Sequence, residues 1–491
     1  MGQSVRGGVK WLMFGSVGMR FFEFAFGVIL ARLLVPADFG MIVTIQVLTG
    51  LASMLSSGGM GQSLIRAKEA DENDFTAVFT MQLALSIAIY LFFFFAAPWI
   101  ARFFDNPLYA DLVRVSTLAF LLRPLAFMRT AWLNREMDFR QRSLVDVASG
   151  VLTGIASCLM AWFGMGVWSL TLSGLVGALV KNVLLARITP LRLRLNLDFA
   201  TMRKHSGYGF KITVNDFVSY LTTESKSLIF SKLAGPAFLG LFNKSESLSR
   251  LPNQLFMSAT IQPVFRAMSK VQDDMDQTRY MFYRVITLLM VYTTPLYVGM
   301  WWVAEPFIGV VYGQKWLPVA QPLAILVMAG LFLNILHPCA VLLDAQNRLS
   351  QEMVALVVRL IVTVAACLVG LQWGLTGVAW AILATHVFSA GYYYVLVSRV
   401  IPTRPSELLR AVAPGLILNA LLFIVLAATH YVLADVRASL PLVYLVLMGL
   451  VGAGTYIAAF LFLPLPAIGS EAERWRRKID DNLGLIFKAR T

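Results

Sequence analysis

Apolar runs of roughly 17 or more residues recur along the whole chain, each about long enough to cross ~30 Å of hydrocarbon as a helix. Residues 79–97, 355–371 (interrupted by Arg359), 415–426 with their flanks, and 442–463 are examples. Composition agrees. Of 491 residues, 58% are apolar and 14% charged, against roughly 25% charged in soluble domains. A soluble protein this apolar could not cover its own surface. The pattern predicts an all-α membrane protein with about fourteen transmembrane helices. They fall at 9–34, 41–64, 77–101, 112–132, 144–164, 166–187, 206–232, 237–265, 281–304, 318–343, 353–372, 374–398, 408–433 and 440–464. No cleavable signal peptide is expected, because the first apolar run is long and carries Arg20, Glu23 and Arg32.

The net charge of +14 does not point to nucleic acid, because the basic residues lie in loops between spans. Counted at alternate helix ends, 26 Lys and Arg fall on the side holding the N-terminus, the even-to-odd loops and the C-terminal tail. Five fall on the other side: Arg32, Arg102, Lys232, Lys315 and Arg437. That asymmetry puts both termini in the cytoplasm and requires an even number of spans. The tail, Glu471 to Thr491, sets Trp475 among Arg474, Arg476, Arg477 and Lys478 and is expected to lie on the membrane surface.

The chain also repeats itself. Leu30-Ala-Arg-Leu-Leu-Val-Pro-Ala-Asp-Phe-Gly40 returns as Phe230-Ser-Lys-Leu-Ala-Gly-Pro-Ala-Phe-Leu-Gly240. Asn134-Arg135 is echoed by Asn347-Arg348, and Ala186 to Arg192 by Ser398 to Arg404. Helices 1–6 and 7–12 therefore read as two like-oriented repeats, with helices 13 and 14 added. The expected organisation is two parallel six-helix lobes, 1–195 and 196–404, two additional helices in 405–466, and a cytoplasmic amphipathic tail, 467–491. Two like-oriented lobes about a cleft suit a rocking, alternating-access transporter.

Catalytic and cofactor motifs are missing from the sequence. It has no phosphate loop, no dinucleotide fingerprint, no His-Glu-x-x-His and no Gly-x-Ser-x-Gly. No loop exceeds roughly 20 residues, too few for an extramembrane catalytic domain or a built-in ATPase. Cys158, Cys339 and Cys367 sit singly in apolar segments, as small packing residues do. No metal or cofactor is expected. His337 and His386 lie within spans and read as packing histidines before proton relays. Gly150-x-x-x-Gly154 and Gly370-x-x-x-Gly374 read as close helix contacts.

Ionisable residues inside spans are costly and usually face a cavity or a partner. Basic ones outnumber acidic ones by ten to four here, so mutual pairing cannot neutralise them all. Arg114, Arg129, Lys181 and Lys211 lie near helix ends and can snorkel. Arg20 and Glu23 are three apart and can pair along one helix face. Arg123 and Arg250 lie far from either end of their helices. Arg20, Arg123, Lys226, Lys244, Arg250 and Arg359 are the candidates for a cationic, substrate-binding cavity. Glu23, Asp216 and Glu224 are the candidates for ion coupling. A cationic cavity suits a phosphate-bearing or acidic substrate and repels the small cations that multidrug exporters carry.

Several of these segments resemble a known family. Leu30 to Gly40 resembles the end of the first helix in the Wzx-type polysaccharide-exporting flippases, which include colanic-acid exporters. Gly58-Gly-Met-Gly-Gln-Ser-Leu-Ile-Arg66, Asn134-Arg-Glu-Met-Asp-Phe139, Leu239 to Pro252 and Pro263 to Gln272 are similar to later segments of that family. The resemblance covers residues 1 to about 400. It implies the superfamily that also holds multidrug exporters and the lipid II flippase. It further implies an undecaprenyl-diphosphate-linked oligosaccharide as substrate, moved across a bacterial cytoplasmic (inner) membrane for exopolysaccharide, capsule or O-antigen (lipopolysaccharide) assembly. Membrane lipids, and a polymerase and glycosyltransferases of the same pathway, are the partners it implies. Many relatives have an Asp where this chain has Lys226, with Glu224 on another helix face, so no coupling residue is carried over. The alternatives are a cation-coupled drug antiporter, which needs an acidic cavity, and a membrane polymerase, which needs a sizeable charged extracytoplasmic loop.

Overall fold

A computed structural model describes residues 2–57, 72–198, 220–221 and 223–488 of the chain. Among the described residues it is helical with no strand. Two compact units divide it, Met1–Asn243 and Lys244–Thr491.

The first unit contains α1 (Gly2–Leu33), α2 (Pro36–Ser57), α3 (Glu72–Phe103), α4 (Leu108–Thr117), α5 (Ala119–Arg135), α6 (Phe139–Trp162), α7 (Val167–Ile188), the helical stretch 223–233 and the start of α8 (Gly235–Ser249). The second continues with α9 (Leu251–Lys270), α10 (Met275–Val311), a 3-10 turn (Gln314–Val319) and α11 (Ala320–Ala345). After these come α12 (Leu349–Gly370), α13 (Gly374–Ser398), α14 (Pro405–Val432), α15 (Ala434–Ser439), α16 (Pro441–Phe462) and α17 (Gly469–Lys488). The expected spans fall on helix where they are described, give or take a few residues at their ends, except that the fourth divides at Leu118 and the eighth at Arg250; residues 58–64 of the second, 206–219 of the seventh and residue 222 lie outside the described residues. Nine stretches among the described residues are long and apolar enough to cross a membrane, and one of them, Ser350–Ser398, runs through both α12 and α13.

Several boundaries follow from local chemistry. Proline opens α2, α14 and α16, where its missing N–H costs nothing. Asp138 caps α6 and Asp274 caps α10, accepting from the amides of Gln141 (3.1 Å) and Gln277 (3.0 Å). The fourth span departs from the expected single helix, dividing at Leu118 into α4 and α5. Thr117 bonds back to the carbonyls of Val113 (2.8 Å) and Arg114 (3.1 Å), which bends helices. Pro124 then denies the Phe120 carbonyl its usual donor.

Large apolar side chains are turned outward while polar ones are buried beside the apolar core. On α3, Thr76, Thr80, Gln82 and Ser86 are buried, while Phe92, Phe95 and Trp99 are exposed. Lipid is the solvent that favours this arrangement, and the chain is a multi-pass membrane protein. Gly150 and Gly154 accept Met19 and Phe26 of α1, as their spacing predicts. The second glycine pair is different. Gly374 opens α13 with φ of +66°, and Gly370 packs instead on Gly377.

Two helix ends close in the same way. The amides of Glu136, Met137 and Asp138 bond to the carbonyls of Trp132, Asn134 and Leu133. Those of Gln346, Asn347 and Arg348 bond to Leu342, Asp344 and Leu343 in the same pattern. Met137 and Asn347 have φ of +56° and +55°. The same bonds and a left-handed residue also end α3 at Asp105 and α6 at Gly164, so this turn is the chain's common helix ending.

The two copies of the first motif touch one another. A Cβ on Gly40 would overlap the Pro236 carbonyl, and one on Gly240 would overlap the Pro36 carbonyl. A buried hydroxyl chain seals this junction: Thr44 bonds Ser231 at 2.6 Å, and Tyr109 donates to Thr44 at 3.3 Å.

Candidate functional site

In the first unit, α2, α4, α5 and α7 surround a cavity of about 520 Å³. Its polar lining includes Gln46, Thr49, Ser116, Arg123, Lys181 and Asn182. Thr49 donates to the Ile45 carbonyl at 2.8 Å, and Asn182 to the carbonyls of Leu122 (3.1 Å) and Ala178 (2.8 Å). Lys181 pairs with Asp146 on α6 at 2.7 Å, and Arg142 approaches the other oxygen of that carboxylate at 3.7 Å. Arg123 has neither carboxylate nor hydrogen-bond partner among the described residues. An unpaired guanidinium near the middle of a span costs about 2.5–3.5 kcal/mol in hydrocarbon. It persists where water or an anion can reach it.

The other first-unit candidates are dispersed. Arg20 and Glu23 are both exposed on α1, and no ion pair joins them. Lys226 is buried to 9% exposure, with its ammonium 6.0 Å from the Phe242 ring. Glu224 accepts from Ser227 at 3.2 Å. Just upstream, Tyr220 donates to the Val47 carbonyl at 3.0 Å and so fastens its segment to the α2 wall of the cavity. Asp216 lies outside the described residues.

In the second unit Lys244 rests on an aromatic shelf, 4.7 Å from the Tyr312 ring and 5.5 Å from that of Trp316. Arg250 pairs with Glu246 at 2.6 Å, four residues back on the helix. Arg359 lies within electrostatic reach of Arg250, Tyr393 and His337. Arg250 and Arg359 are thus brought together, and Arg123 occupies the first unit's cavity. His386 bonds the Ile382 carbonyl at 2.8 Å, as a packing histidine does. Sequence reasoning missed Asp146, whose signal was its place four residues after Arg142 on one helix face. It also missed Asn182 and Gln46, which no pattern singles out.

Helices around a polar, cationic cavity, with apolar side chains turned outward, define a membrane transporter fold. The family described as polysaccharide biosynthesis protein matches residues 29–321, more than half the chain, and the chain belongs to that family. It is 23% identical over 402 residues to the lipopolysaccharide biosynthesis protein WzxC of Escherichia coli (strain K12), covering 80% of this chain and 81% of that one. It is 24% identical over 399 residues to the succinoglycan biosynthesis transport protein ExoT of Rhizobium meliloti (strain 1021), covering 80% of each. Among solved structures, the lipid II flippase MurJ in an inward closed conformation is similar, with a TM-score of 0.71 at 16% identity. That match covers 91% of this chain and 97% of the other, and it speaks for the fold.

Proposed function

We propose that this chain is a flippase. It moves an undecaprenyl-diphosphate-linked oligosaccharide across the bacterial cytoplasmic membrane by alternating access, for exopolysaccharide, capsule or O-antigen assembly. The observation that carries the reading is Arg123, a cation without a carboxylate, lining a cavity among membrane helices. A diphosphate supplies the oxygens such a guanidinium lacks. A second cavity, of about 540 Å³, is lined almost wholly by apolar side chains of α9, α10, α14 and α16, including Pro295, Met300 and Met448. Its character suits a polyisoprenyl chain. The six-six-two organisation and cytoplasmic termini belong to the same reading, as does a role in transport without catalysis. A drug antiporter would need an acidic cavity where Arg123 stands.

The test is complementation. Deleting the gene should abolish surface polysaccharide and accumulate lipid-linked oligosaccharide on the cytoplasmic side, and the native chain should restore export. Arg123→Ala should insert normally and restore at most a tenth of it. Full export by that variant removes the cavity's cation from the mechanism, and unchanged export in the deletion strain removes the function itself.

A further inference from the structure

A third cavity, of about 400 Å³, lies in the second unit at ends of α10, α14 and α15 that the Lys and Arg asymmetry assigns to the extracytoplasmic side. Its lining includes Trp301, Trp302 and Glu305 from α10, Gln321 from α11, His430 from α14 and Arg437 from α15. Nothing in the flippase reading uses these residues.

The polar groups are held in a relay. Arg437 donates to Glu305 at 2.5 Å and contacts His430 Nε2 at 3.2 Å, and His430 Nδ1 meets the Tyr444 hydroxyl at 2.7 Å. With Nε2 accepting from Arg437, Nδ1 carries the proton and donates to Tyr444. The relay leaves defined capacity over. Among the described residues only one Glu305 oxygen is engaged, and that side chain is 63% exposed. Gln321 Oε1 accepts from Thr376 at 3.4 Å, leaving its amide nitrogen to donate. Beside these groups the indoles of Trp301 and Trp302 lie edge to face, 4.9 Å apart and at 88°, both packed on Phe423.

Flat apolar rings beside fixed hydroxyl-binding groups match one ligand chemistry in particular. A pyranose presents a face of C–H bonds to stack on an indole and a rim of hydroxyls to bond carboxylate and amide. Phosphate fits poorly, because it would share Arg437 with the Glu305 carboxylate, and a free cation would meet Arg437. The volume falls in the ~300–1,000 Å³ range of small-ligand sites.

We infer that this cavity is a saccharide subsite that holds pyranosyl units of the glycan on the extracytoplasmic side. The inference rests on the flippase reading for the source of that glycan. The full chain in nanodiscs, observed by saturation-transfer NMR, gives the test. The probe is oligosaccharide repeat units cut from the polysaccharide that the native strain exports, with inorganic phosphate as competitor. The native chain should transfer saturation to ring protons of the glycan, and phosphate should not displace it. Trp301→Ala and Glu305→Gln should each weaken binding tenfold or more, whereas Trp301→Phe, which keeps a ring, should weaken it less. Absence of binding, displacement by phosphate, or equal binding by both variants with native melting curves overturns the subsite and leaves these indoles as interfacial anchors. Export assays separate the two claims. Export lost on deletion with glycan binding indifferent to both substitutions removes the subsite alone, and export intact on deletion removes the flippase reading.

Discussion

Gly240 rests on the backbone of Gly40: a Cβ added to Gly240 would lie 3.0 Å from the Gly40 amide nitrogen and inside the Pro36 carbonyl. The relation is reciprocal, since Gly40 bears on Pro236 in the same way. Backbone cannot swing aside as a side chain can. Gly40→Ala and Gly240→Ala should each cost about 1–3 kcal/mol, read as lower melting temperatures in detergent. Gly18→Ala is the control, because a Cβ there would meet nothing within 4 Å. Equal melting of all three variants would refute the close approach.

Met137 holds a left-handed φ of +56° although its side chain is 53% exposed and gains little there. Asn347, which ends α11 in the same turn, is of a residue type that tolerates this conformation. Met137→Asn should therefore stabilise the protein by about 0.5–1 kcal/mol. A melting temperature at or below that of the native chain contradicts the assignment.

Asp146 serves two cations, Lys181 and Arg142. These side chains are more than a third exposed, which caps the Lys181 pairing at about 1 kcal/mol. A double-mutant cycle with Asp146→Asn and Lys181→Met should return a coupling of about 0.5–1 kcal/mol. Additive effects would show that the pair is incidental.

The C-terminal helix is tied to α10 through Arg284, which donates to the Ala467 carbonyl at 2.6 Å and to Glu471 at 3.0 Å. Trp475 adds a bond to Tyr292 at 3.1 Å. Arg284→Ala should free the tail and speed trypsin cleavage between Arg474 and Lys478 several-fold, with less effect from Glu471→Gln. Unchanged digestion would mean that Ile468 and Ala472, buried to 1% and 3% exposure, hold it alone.

By contrast with the site, the helices were legible because a spanning segment declares itself by length and apolarity within its own residues. The division at Leu118 was harder to see, since it depends on Thr117 bonding its own helix just ahead of a proline. Among the charges, Arg123 stood out through its distance from either helix end. Lys244 stood among the same cavity candidates, yet it meets Tyr312 and Trp316 from about seventy residues further on, a tertiary contact that spacing cannot foretell. The helix endings were hidden for a related reason: each is set by backbone bonds and a left-handed residue, a place that Asp105, Met137, Gly164 and Asn347 fill with different side chains.

The closest match between the repeats, Leu30 to Gly40 against Phe230 to Gly240, is also the place where the copies meet. Each copy is the mould of the other. A bulkier residue in either one must be answered across the junction, so neither stretch can drift independently. Self-complementary surfaces of this kind are what homodimers use.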